Sequence, residues 1–122
     1  MTEVTVRVRL EENIDLLRKP ARACIGFTSP LGPRIEPAAL RYREDRYFAG
    51  LDDGAMLPEE GAEVVLVVDE GRLFFELRAV YVRGRSTRIE ERSGHGKIWI
   101  EVVPAKITSW DYGRMRSDNG SD

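Results

Sequence analysis

Apolar positions along this chain fall into short extended runs separated by turn residues. Over residues 1–10, Val4, Val6, Val8 and Leu10 alternate with Thr5, Arg7 and Arg9, the period of a strand with one wet face. Residues 11–19 carry Ile14, Leu16 and Leu17 and are stopped by Pro20, which fits one or two helical turns. The stretch 21–57 then organises the chain. Apolar runs at 23–28 and 34–42 flank the turn Ser29-Pro30-Leu31-Gly32-Pro33, and a third at 46–51 follows the polar break Arg43-Glu44-Asp45. That is strand, turn, strand, tight turn, strand.

The remaining pattern is also extended. Residues 52–61, DDGAMLPEEG, form a loop with four acids and no base. Residues 62–69 are continuous and β-branched, which predicts a strand buried on both faces or nearly so. Glu70-Gly71 predicts a tight turn, and 73–83 a long strand that Gly84 interrupts, as at a bulge or bend. Residues 85–91 continue it as a charged ribbon that reads as a solvated sheet edge. Ser93-Gly94-His95-Gly96 is a hairpin tip, and 97–103 are nearly all apolar, with Pro104 expected to end the ladder before the short extended piece 105–110. Six to eight short strands with one or two helical turns predict an all-β antiparallel barrel.

Composition narrows the function classes. A chain of 122 residues is one domain with a small core, so burial by dimerisation would add stability. Large apolar side chains at Leu73-Phe74-Phe75, Ile98-Trp99-Ile100 and Trp110 point the same way, toward a C2 homodimer. The net charge of −2 gives no general attraction for nucleic acid. Arginine supplies 16 of the 19 basic residues. The series Arg83, Arg85, Arg88, Arg92 resembles a nucleic-acid stripe, but Glu90 and Glu91 interrupt it. The single cysteine, Cys24, excludes an intrachain disulfide and sits in an apolar run as a small core residue would. No apolar run reaches a membrane span and no signal-peptide core is seen, so a soluble cytoplasmic protein is expected.

Most residue-borne chemistries are missing. There is no Cys/His cluster for zinc, no phosphate-binding glycine loop, and one histidine, His95, with no nucleophile elbow beside it. No side chain stands out as a general acid or base.

Four local features, spread over residues 21–116, carry a resemblance. They are the Gly32-Pro33 turn with Pro33-Arg34-Ile35-Glu36-Pro37 running on to Arg41-Tyr42; Tyr47-Phe48-Ala49-Gly50 leading into a small-residue loop; residues 63–69 followed by 76–85; and Ile100-Glu101-Val102-Val103-Pro104 with Ile107-Thr108-Ser109-Trp110-Asp111 behind it. In order and spacing the chain resembles the pyridoxamine 5'-phosphate oxidase-like family, the FMN-binding split barrels. The resemblance implies a six-stranded antiparallel split β-barrel of Greek-key type over residues 1–116, with 117–122 a frayed polar tail. It implies a homodimer with FMN in a groove at the interface. The implied flavin-facing positions are Arg34, Ile35 and Glu36 on one strand and Gly50, Leu51 and Asp52 on the next. Trp110 would approach from the partner subunit. The family's phosphate anchors are a basic pair in the loop, and the matching positions here are Gly54 and Met56.

That substitution matters, because a flavin phosphate wants arginine or lysine forks or backbone N–H nests. Asp52, Asp53, Glu59 and Glu60 surround the loop instead, while Arg34, Arg41 and Arg43 stand nearby as replacements. Three functions stay open: an FMN-dependent oxidoreductase acting on a small substrate, a cofactor-free split-barrel dimer that binds or scaffolds, and an arginine-rich RNA-binding barrel. The acidic loop favours the second over the first, and the balanced charge disfavours the third.

Overall fold

The computed structural model describes residues 7–20, 22–72, 76–92 and 96–113. Its strands are β1 (Arg7–Val8), β2 (Arg22–Ser29), β3 (Gly32–Pro37), β4 (Ala39–Arg43), β5 (Arg46–Asp52), β6 (Glu63–Glu70), β7 (Arg78–Arg92) and β8 (Lys97–Asp111). A 3-10 turn (Leu10–Asn13) and helix α1 (Ile14–Arg18) link β1 to β2, where the sequence predicts helical turns. All strand pairs are antiparallel, in the order β3-β2-β6-β7-β8-β5-β4, with β1 on β8.

β3 and β4 stand at opposite ends of that order, yet one residue, Ala38, joins them. Its N–H donates to the Ala23 carbonyl at 3.1 Å. Edges joined by a single residue must lie together, so the sheet curls onto itself into the expected all-β split barrel. Taking β3 and β4 as one strand bent at Ala38, and setting aside two-residue β1, leaves six strands.

Alternation decides the core. Ile25 and Phe27, Tyr47, Ala49 and Leu51, Val64, Leu66 and Val68, Val80 and Val82, and Ile100 and Val102 face inward, and Leu16 and Leu17 of α1 plug the barrel. Each such side chain contributes about 1.5–3 kcal/mol by burial. Cys24 lies beside Ile25 on the opposite face of β2 and is half-buried outside this core, a correction to its expected place. Ile100 and Trp99 are buried within the single chain, so they do not by themselves call for a partner. Leu73-Phe74-Phe75, His95 and the 117–122 tail lie outside the described residues.

Two local expectations are corrected by pairing. First, Pro104 does not end a strand: β8 runs through it to Asp111. Pro104 pairs with Gly84 where the β7–β8 register shifts, and at such a bulge a missing N–H is tolerated. Second, β7 begins at Arg78, and Glu76 and Leu77 lie outside it. Gly71 follows β6 at φ 104°, and the Arg72 N–H donates to the Glu76 carboxylate at 3.3 Å. The arginine-rich ribbon is an edge as expected: β6 pairs with β7 only as far as Arg85, so residues 86–92 have β8 as their one strand neighbour among the described residues.

Polar contacts tie α1 to the sheet. The buried Asn13 amide donates to Ser109 Oγ and to the Trp110 carbonyl, both at 2.8 Å. Arg78 bridges Asp15, at 2.7 Å, and Glu70. Hydrogen bonds from Arg78 hold the Asp15 carboxyl below its ordinary value of 3.8, and those from Arg46 hold Glu101 below 4.5, each against desolvation. Both native values lie below the unfolded ones. The stability these pairs add is therefore full above the unfolded values and lost as pH falls through the native values. The expected melting temperature is flat from neutral pH to about pH 5 and drops below about pH 4. An Arg78→Gln variant should melt lower at neutral pH and converge on the parent in acid. Parallel curves at all pH values would refute the linkage.

Candidate functional site

The β4–β5 hairpin turns on Glu44 and Asp45, at φ 51° and 60°, the two left-handed residues of a type I′ turn. The two-residue loop fixes the register Arg43 to Arg46, Arg41 to Phe48 and Ala39 to Gly50. Because Tyr47, Ala49 and Leu51 face the core, Arg41, Arg43, Arg46, Phe48 and Gly50 share the outer face. β8 adds Trp99 opposite Gly50 and Glu101 opposite Phe48.

These side chains enclose a cleft of about 300 Å³, lined by Arg41, Arg43, Glu44, Arg46, Phe48 and Trp99, with Ile89 of β7. The Trp99 ring lies flat on the Gly50 backbone: a Cβ there would sit 2.9 Å from its nearest ring atom. The Arg41 guanidinium covers the ring at 4.2 Å from its centroid. Arg46 stacks on Phe48 at 5.1 Å and donates to both Glu101 oxygens, at 2.6 and 2.9 Å. Arg41 and Arg43 have no carboxylate partner among the described residues. The indole Nε1 of Trp99 is buried without an acceptor there. Such a donor is rare in folded chains and calls for an acceptor. The cleft thus combines an aromatic floor with free cationic donors. It suits a planar, anionic ligand. Burial pushes Tyr47, beneath the hairpin, up to about 12, so it stays protonated. No group of metal ligands is found among the described residues.

No protein-family model and no curated protein matches the chain. Solved structures do. The structure of the FAD binding protein from Mycobacterium smegmatis superposes with a TM-score of 0.67 at 18% identity, over 86% of this chain and 98% of that one. A conserved hypothetical protein from Mycobacterium tuberculosis gives 0.73 at 12% identity, over 95% and 92%. A candidate pyridoxamine 5'-phosphate oxidase from Corynebacterium glutamicum gives 0.62 at 12% identity, over 89% and 94%. The fold is the pyridoxamine 5'-phosphate oxidase-like split barrel. Among its described residues, no helix is long and apolar enough to cross a membrane.

The split barrel separates the residues singled out from sequence. Arg34 and Glu36 pair with each other at 2.8 Å on β3, and Ile35 between them faces the other way, 74% exposed. Gly50 lies in the floor of the cleft under Trp99. Leu51 is wholly in the core, which leaves only its backbone for any ligand. Asp52 holds Lys97 at 2.7 Å. Gly54 sits at φ 96°, where an L side chain is strained, and Met56 packs against the core. Trp110 lies at the opposite end of β8, outside the cleft, 6.4 Å from Tyr81 and beneath Arg7.

Arg41 and Arg43 are legible as replacement anchors. Arg46, Phe48, Ile89 and Trp99 are not. The alternation of Arg41, Arg43, Arg46 and Phe48 about a two-residue turn carried the signal that they share a face. Nothing local indicated that Trp99 would join them.

Proposed function

We propose that this split barrel binds a flavin, FMN in particular, and that Arg41 and Arg43 hold its phosphate in place of the loop. The observation that carries the proposal is the convergence of three arginines on an aromatic-floored cleft, two of them without a carboxylate partner. Arg46, anchored by Glu101 and stacked on Phe48, fixes the wall beside them. Trp99, sandwiched between the Gly50 backbone and the Arg41 guanidinium, forms the floor that holds Arg41 in place. Glu44 at the rim opposes a dianion and sets the direction from which it can enter. The FAD-binding relative in the same fold supports a flavin over other planar anions.

A cleft of about 300 Å³ is at the small end for a cofactor site, so a second copy of the chain in a homodimer completes the enclosure. When bound, a flavin supplies hydride chemistry, while the protein supplies position and electrostatics. That makes a flavin-dependent oxidoreductase the enzymatic reading. The described residues offer no acid or base within the cleft except Glu44.

The test is a titration of FMN, FAD and riboflavin, followed by visible absorbance, with light scattering at micromolar protein. FMN should bind at least about 10-fold tighter than riboflavin, as expected when a charge-assisted phosphate contact is worth about 1.5–3 kcal/mol. Particles should have twice the chain mass. Equal, weak binding of FMN and riboflavin would replace the proposal with the cofactor-free reading, which the Trp99 cover over Gly50 favours.

A further inference from the structure

Cations of the outer sheet face are gathered along β8. Ile100, Val102, Ile107 and Ser109 turn inward, so Trp99, Glu101, Val103, Lys106, Thr108 and Trp110 turn outward. On one flank, β7 sets Arg85 opposite Val103 and Arg83 opposite Lys106. On the other, β5 brings Arg46 onto Glu101, and β1 sets Arg7 opposite Trp110. Arg41 lies over Trp99. Glu101 is the one acid on that side of β8 among the described residues, and Arg46 already occupies both its oxygens. Arg83 and Lys106 form no ion pair there, although like charges directly opposite each other are destabilising. Arg85 reaches Glu63 only at 3.7 Å, with its side chain 65% exposed. The net charge of −2 averages over a surface on which the signs are segregated, with many of the acids in the 52–61 loop and the helical turns before β2.

Planar and apolar groups are interleaved with these charges. Tyr81, opposite Thr108, is 37% exposed, and Val103 is 49% exposed. The guanidinium of Arg46 is held on Phe48 and that of Arg41 on Trp99, each a flat cation on the surface. We propose that the outer face of β8 binds a single strand of nucleic acid, laid along the strand between Trp99 and Trp110. Phosphates meet Arg41, Arg83, Arg85 and Lys106, and the strand relieves the repulsion between the opposed pair. Bases stack on Tyr81 and on the guanidinium planes. The stripe is about 35 Å long at the rise of a β-strand, room for several nucleotides. Single-strand sites on small β-barrels cover about 4–16 nucleotides. A duplex fits poorly, because the stripe lies on the convex side of a curled sheet and has no helix or ribbon to enter a groove. An acidic peptide would meet the cations but bring no ring for Tyr81. Solvated surface cations are the ordinary alternative, and they do not account for an opposed pair left without a carboxylate.

The test is fluorescence anisotropy of labelled oligothymidylate and oligouridylate of about 12 nucleotides, in the range such a site covers. The stripe shares Arg41 and Arg46 with the flavin cleft, so no flavin is added and the variants are placed outside that cleft. Both oligonucleotides should bind, and four phosphate contacts give a log–log salt slope of about −3, an affinity loss of about 50-fold from about 50 to about 200 mM salt. Arg83→Gln/Lys106→Gln should weaken binding about 10-fold and halve the slope to about −1.5. Arg83→Lys keeps the charge and should keep the slope. Tyr81→Leu should weaken binding about 10-fold with the slope unchanged, which a purely electrostatic contact would not do. Melting temperatures within a few degrees of the parent show that the variants are folded. No binding to either oligonucleotide, or full binding that survives Arg83→Gln/Lys106→Gln, would overturn the site. Equal binding of a duplex of the same length, equal competition by polyglutamate, or a Tyr81→Leu protein that binds like the parent would overturn the stacked single strand. None of these outcomes depends on whether the protein binds a flavin.

Discussion

Gly84→Ala is expected to lower the melting temperature by about 10 °C or more. A Cβ at Gly84 would overlap the backbone carbonyl of Val103 and crowd Pro104 on the facing strand. A carbonyl held in a sheet cannot swing aside as a flexible side chain does. Overpacking of this kind costs about 1–3 kcal/mol and occasionally more. Each kcal/mol is worth about 4 °C in a domain of this size. The damage falls at the register shift between β7 and β8, the longest pair of strands in the barrel. Gly54→Ala is the matched control. That glycine has φ 96° but nothing within 4 Å of the new atom, so only backbone strain of about 1 kcal/mol is expected. Thermal denaturation followed by circular dichroism separates the two. A Gly84→Ala protein that melts within 2–3 °C of the parent, roughly the effect of under 1 kcal/mol, would mean that the bulge is looser than the register implies.

The second large effect concerns the proposed phosphate anchors. Arg41→Ala/Arg43→Ala should weaken FMN binding by about 10²–10⁴-fold, two charge-assisted contacts of about 1.5–3 kcal/mol each, while changing riboflavin binding little. Arg41 also covers Trp99, so Arg41→Lys/Arg43→Lys separates charge from stacking and should recover part of the FMN affinity. Gly54→Arg/Met56→Lys, the change that would rebuild a basic loop, should not tighten FMN. Gly54 is in a conformation arginine strains to adopt, and Met56 is packed against the core. If the loop variant tightens FMN and the β4 variant does not, the phosphate belongs at the loop and the cleft assignment fails.

Sequence alone determined most strand spans, because the signal is local. Period-two alternation and β-branched runs place β2, β5 and β6 within one residue of where they form. The tight turn at Arg43-Glu44-Asp45 was equally legible, whereas its I′ geometry and the shared face of Arg41, Arg43, Arg46 and Phe48 came from the structure. The ordered short motifs were enough to point to the split barrel.

What only the tertiary structure decided are the contacts between residues far apart in the chain. Pro104 reads as a strand end by the local rule, yet its partner Gly84, on another strand, provides a bulge where its missing N–H is tolerated. The acids of the 52–61 loop read as a field opposing phosphate. In the fold, Asp52 pairs with Lys97 and Glu60 accepts the Arg88 backbone N–H at 2.8 Å. Trp99 reads as one apolar residue in an apolar run, and the β5–β8 register alone lays it over Gly50 and beneath Arg41. Alternation specifies which face a side chain takes, but the strand lying alongside is chosen by how the whole sheet pairs, and the cleft around Arg41 and Trp99 is made by that pairing.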